Sequence, residues 1–120
     1  MLGCRKGPPI RISSNGDTVK VDVATLGEYP TTIARIRLED QSDHILWEVD
    51  ADGGSPQIHE ITFKAGLNSS SAPDSTSGTY RVVIPKSADT FELQRGRAYR
   101  LDLWSELTGK PASVEVKVPN

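Results

Sequence analysis

One cysteine in 120 residues excludes an internal disulfide, so the fold must be held by packing. The histidines are only His44 and His59, too few for a structural zinc site of four Cys or His ligands. Aromatic residues make up 6% of the chain, so a surface that stacks on a flat ligand would rest on very few rings. No apolar run approaches the roughly 20 residues that cross a bilayer as a helix. Charge of one sign is missing too. The 14 Lys and Arg stand against 16 Asp and Glu, for a net charge of −2, so no basic field is present to hold a phosphate backbone. Nucleic acid is therefore not an expected partner. There is no G-x-S-x-G elbow, and the serines gather in a polar stretch away from any histidine paired with a carboxylate. The chain reads as a non-enzyme with no cofactor.

What is present is alternation of period two, with almost no helical periodicity. Ile10 and Ile12 open a first strand, and Asn15-Gly16-Asp17 turns it. Val19, Val21 and Val23 alternate with Lys20 and Asp22; Ala34, Ile36 and Leu38 alternate with Arg35 and Arg37. Ile45, Trp47 and Val49 share a face, and His59, Ile61 and Phe63 share another. Tyr80, Val82 and Ile84, then Phe91 and Leu93, then Tyr99, Leu101 and Leu103, and finally Val114, Val116 and Val118 complete the series. Short strands separated by turns predict an antiparallel β-sandwich of about seven to nine strands. Residues 10–120 are expected to form this one domain, behind an N-terminal tether and spacer over residues 1–9. Residues 67–79 are low in complexity and are expected to be a mobile Ser-rich loop within the domain.

Two resemblances extend this reading. The run Leu93-Gln94-Arg95-Gly96-Arg97-Ala98-Tyr99, followed by an alternating strand, resembles the E–F corner of fibronectin type III domains. It implies an immunoglobulin-like sandwich in which the Tyr99 ring is buried and its hydroxyl bonds back to main chain across the corner. Trp47 is placed like the core tryptophan of the third strand of such folds. At the other end, Leu2-Gly3-Cys4 resembles the tail of a bacterial lipoprotein signal. That resemblance implies lipidation of Cys4, with Arg5-Lys6-Gly7-Pro8-Pro9 as a stiff spacer. It also implies a periplasmic or surface lipoprotein of the cell envelope, anchored to the membrane through Cys4, with a protein partner there.

Several residues are candidates for function. The phase of Tyr99, Leu101 and Leu103 turns Trp104 to the opposite face with Arg100 and Asp102, and Arg35 and Arg37 share that outward phase. Trp104, Arg100, Arg35 and Arg37 are therefore the expected partner-binding group, through cation–π stacking or as anchors in an interface. A carbohydrate or small-ligand module is the alternative, with Trp104, Tyr29 and Tyr80 as its aromatic supply. A metal-assisted hydrolase would need His44 to converge with Glu39, Asp40 or Asp43 and with Glu106. Asp50-Ala51-Asp52-Gly53-Gly54 has the look of a calcium loop but lacks its closing Glu, and reads as a hairpin turn. Arg95 and Arg97 are expected to pair with Asp50 and Asp52. Asn68-Ser69-Ser70 matches a glycosylation triplet; no metal site is expected.

Overall fold

Branched residues at alternate positions favour extended backbone, because their side chains pack well on a pleated surface and lose χ1 freedom in a helix. The computed structural model describes residues 10–23, 32–86, 88–105 and 109–120, and these fold as an all-β antiparallel sandwich. Its strands are β1 (Ile10–Asn15), β2 (Thr18–Val23), β3 (Arg35–Glu39), β4 (Ile45–Gln57), β5 (Glu60–Lys64), β6 (Gly66–Ser69), β7 (Thr76–Ile84), β8 (Thr90–Leu93), β9 (Ala98–Trp104) and β10 (Ala112–Lys117). A five-stranded sheet runs in the order β10-β9-β3-β4-β7, a three-stranded sheet in the order β1-β2-β5, and β6 pairs with β8. The segment β5–β6 passes its hydrogen bonding from β2 to β8 across Ala65 and Gly66, where Gly66 takes φ +94°.

The core lies between the layers. Ile36, Leu38, Trp47, Val49, Leu101, Leu103 and Val116 face it from the larger sheet, and Val19, Val21, Ile61 and Phe63 meet them. Trp47 is the centre of an aromatic cluster, with ring centroids 5.8 Å from Phe63 and 6.0 Å from Phe91. It is carried by the fourth strand of the chain. Its indole N–H has no hydrogen-bond partner among the described residues. Tyr99 is buried, and its hydroxyl accepts a hydrogen bond from the Gln94 N–H at 2.8 Å, back across the corner whose Gly96 takes φ +77°.

Four expectations are corrected. Strand β6 (Gly66–Ser69) runs into the stretch 67–79 expected to be a mobile loop. That stretch also contains the start of β7; only residues 70–75 lack strand structure, and Ser70 is buried with its hydroxyl donating to Ala88 O at 3.1 Å. The Gly-rich segment after Asp50 is no turn: β4 runs through it to Gln57, paired with β7. The glycines are there for close approach, since a Cβ on Gly78 would come within 2.5 Å of Gly53 O and 2.6 Å of Pro56 N. His59 is exposed rather than on the inner face, because β5 begins at Glu60 and Ile58 takes the buried position before it. Arg95 forks onto Asp17 of the β1–β2 turn (Nη2 to Oδ2, 3.0 Å), not onto Asp50 or Asp52.

Candidate functional site

The outer face of the five-stranded sheet is built by register. Arg35 stands opposite Asp50 on β4 and Trp104 on β9; Arg37 stands opposite Glu48 and Asp102; Glu39 stands opposite Arg100. Ser113 of β10 continues the middle row beside Asp102. Opposite charges thus meet directly across strands, where side chains are close enough to interact.

Distances match that register. Arg35 makes a two-pronged contact with Asp50, Nε to Oδ1 at 2.8 Å and Nη2 to Oδ2 at 3.3 Å. Arg37 Nε donates to Glu48 Oε1 at 2.6 Å. Arg100 Nη2 donates to Glu39 Oε2 at 2.6 Å, and Arg100 lies 3.4 Å from Asp102 and 3.7 Å from Asp43. Ser113 Oγ donates to Asp102 Oδ1. Above these rows, the Arg37 guanidinium carbon is 5.0 Å from the centroid of the half-buried Trp104 ring, and that of Arg35 is 5.7 Å away. Two cations over one indole form the expected stack, a geometry in which guanidinium and ring quadrupole attract.

Glu39, Glu48 and Asp102 are buried although they belong to the solvent side of the sheet. Sequence reading missed this cluster of carboxylates as a unit. The signal was their shared outward phase: Glu48 and Asp50 on one strand oppose Arg35 and Arg37 on the next. Burial pushes the Glu39 carboxyl above the usual carboxylate range, and a hydrogen bond with the Asp102 carboxyl pushes it the same way, against the pull of Arg100 and Arg37. Asp40 goes the other way, held below its ordinary range chiefly by the His44 backbone N–H, which donates to its carboxylate at 3.0 Å. A cleft of about 340 Å³ opens beside Arg100, lined among others by Asp40, Asp43, Ser113 and Glu115.

The other candidates do not join this site. Tyr80 is no exposed stacking surface: its ring is buried and its hydroxyl donates to Ile33 O at 2.7 Å. Tyr29, Glu106 and Cys4, with the rest of residues 1–9, lie outside the described residues. The exposed His44 ring lies 3.3 Å from Asp40, but Glu39 turns away from it to Arg100. Among the described residues no group of three or more His, Cys, Asp or Glu side chains is placed to hold a metal ion. Asp50 is engaged by Arg35 within β4 rather than forming part of a turn. Asn68 is buried and spends its amide on the backbone of Lys64 and Gly66, so the acceptor side chain of the glycosylation triplet is turned inward.

Comparison with known proteins adds no relative: no protein-family model, no curated protein and no solved structure matches the chain.

Proposed function

We propose that this chain is a non-enzymatic binding module of the cell envelope, tethered through Cys4, that meets a protein partner through the outer face around Trp104. The observation that carries the reading is the half-buried Trp104 indole beneath the Arg35 and Arg37 guanidiniums, with Arg100 two rows away on the same face. Trp and Arg are the residue types most enriched where interfaces concentrate their binding energy. The ion pairs hold both arginines in place before any partner arrives, which reduces the side-chain entropy lost on binding. The fibronectin-like corner and the Leu2-Gly3-Cys4 terminus support an adhesive or assembly role at a membrane surface.

The tether and the face are tested separately. The natural gene product, expressed in a bacterial host, is expected in the membrane fraction with a diacylglycerol on Cys4, and Cys4→Ser is expected to release it. A photoreactive residue at the exposed Ser105, with Trp104 kept, is expected to give a discrete adduct in the envelope, while one at Thr62, on the exposed side of β5, gives none. Soluble protein with an unmodified cysteine refutes the tether. Equal labelling from both positions, or none from 105, refutes the face.

A further inference from the structure

Strand β10 is an edge of the five-stranded sheet, hydrogen-bonded among the described residues only to β9. Its pairing is regular over Ala112–Lys117, with no bulge and no proline inside it. The side its free backbone groups face follows from the neighbouring bonds. Val118 N–H donates to Arg97 O at 2.9 Å, and Val118 O accepts from Gly96 N–H at 3.0 Å. Alternate residues of an antiparallel strand face alternate neighbours, so Val116 and Val114 also aim their backbone groups at β9. Ser113, Glu115 and Lys117 therefore aim theirs away from it.

We infer that β10 pairs with β10 of a second copy of this chain, antiparallel and centred on Val116. In that register Glu115 stands opposite Lys117 of the second copy, and Lys117 stands opposite its Glu115. Each such pair exchanges N–H···O bonds in both directions and sets opposite charges side by side on the outer face. Val116 meets Val116, and the partly exposed Val114 meets Val118. Neighbouring registers are worse. Centring on Glu115 places two carboxylates opposite one another. Centring on Val114 sets Glu115 opposite Ser113 and Lys117 opposite Pro111, so no opposite charges meet.

The other edges are less suited: β5 carries Glu60 and Lys64, but the backbone N–H and C=O of Lys64 are already taken by the Asn68 side chain. Strand β1 carries one charge, Arg11, and no carboxylate to match it. Strand β7 is distorted by repeated register shifts against β4 and by Ser77 at φ +64°, the kind of irregularity that discourages edge pairing. A two-fold axis through β10 runs normal to the sheet, so the larger sheets of both copies become continuous. Both Trp104 faces then lie on the same side, giving a partner two equivalent sites. This pairing does not depend on what the Trp104 face binds.

The test is the mass of the full chain in solution, by sedimentation equilibrium, under reducing conditions so that Cys4 cannot cross-link copies. A concentration-dependent dimer is expected. Glu115→Lys and Lys117→Glu, both at exposed positions, each set like charges opposite one another twice and should weaken dimerisation about tenfold or more. The double exchange, Glu115→Lys with Lys117→Glu, should restore it. A monomer at all concentrations, open-ended association, single reversals without effect, or a double exchange as weak as the singles would each overturn the inference.

Discussion

Replacing Arg37 with Met probes how the outer face is held together. Glu48 is 7% exposed at its side chain and Arg37 25%, and the two meet at 2.6 Å. Removing one member of a buried pair strands the other charge, at about 3–5 kcal/mol when burial is complete. Two features lower that figure here. Arg37 is partly open to water, and Glu48 keeps Arg35 at 3.9 Å. Glu39 is not stranded, since Arg100 stays 2.6 Å away. The Arg37 half of the stack on Trp104 is lost as well, at about 0.5–1 kcal/mol for a partly exposed cation–π contact, while Arg35 stays 5.7 Å from the ring. The expected cost of Arg37→Met is therefore roughly 2–3 kcal/mol, or about 8–12 °C in Tm for a domain of this size. Arg37→Met combined with Glu48→Met removes both charges and leaves Arg35 paired with Asp50 at 2.8 Å. That double variant should lie within about 1 kcal/mol of the parent, because an apolar pair of similar volume replaces a buried ion pair at little net cost. Urea unfolding followed by circular dichroism measures both. A single variant within about 0.5 kcal/mol of the parent, or a double variant no more stable than the single, would refute the account of the face as a coupled charge ladder.

Two further outcomes follow from hydrogen bonds and titration. Tyr80→Phe leaves the buried Ile33 carbonyl without its 2.7 Å partner and should cost about 1–3 kcal/mol. Tyr99→Phe should cost less, about 0.5–1.5 kcal/mol, because water can reach the N–H of the exposed Gln94; the reverse order in urea melts would contradict this. Glu39 binds its proton more tightly in the folded chain than in the unfolded one, so its contribution to stability is full at low pH and is lost as pH rises through its raised folded-state value. Glu39→Gln should accordingly gain stability relative to the parent as pH rises from the ordinary carboxylate range upward, and a falling difference in a pH series of melts would contradict the assignment.

Alternation was enough to place most strands and to bring Trp104, Arg35, Arg37 and Arg100 to one face, because period-two phase is a local property of the backbone. The length of β4 was not legible. Gly53, Gly54 and Pro56 signal a turn when read alone, and only the close passage of Gly78 shows why small residues are needed there. Composition misled at 67–79 for a similar reason. Asn68 and Ser70 are polar, yet their side chains satisfy nearby backbone groups and so can be buried. The Arg95–Asp17 contact joins residues 78 apart in sequence, which no local pattern encodes. For the site, the charges were visible, but the burial of Glu39, Glu48 and Asp102 depends on strand order, which pairs β3 with both β4 and β9.

The transfer of pairing from β2 to β8 at Ala65–Gly66 divides the smaller layer into parts of unequal security. Strand β8 has β6 as its only hydrogen-bonded neighbour among the described residues, over Gly66–Ser69 and Thr90–Leu93, so this ribbon can part from the sandwich while β1, β2 and β5 stay joined. Phe91 rides on that ribbon and forms one wall around Trp47. Lifting the ribbon would wet the indole, so in a Trp104→Phe background the Trp47 emission would report whether this ribbon opens ahead of the rest.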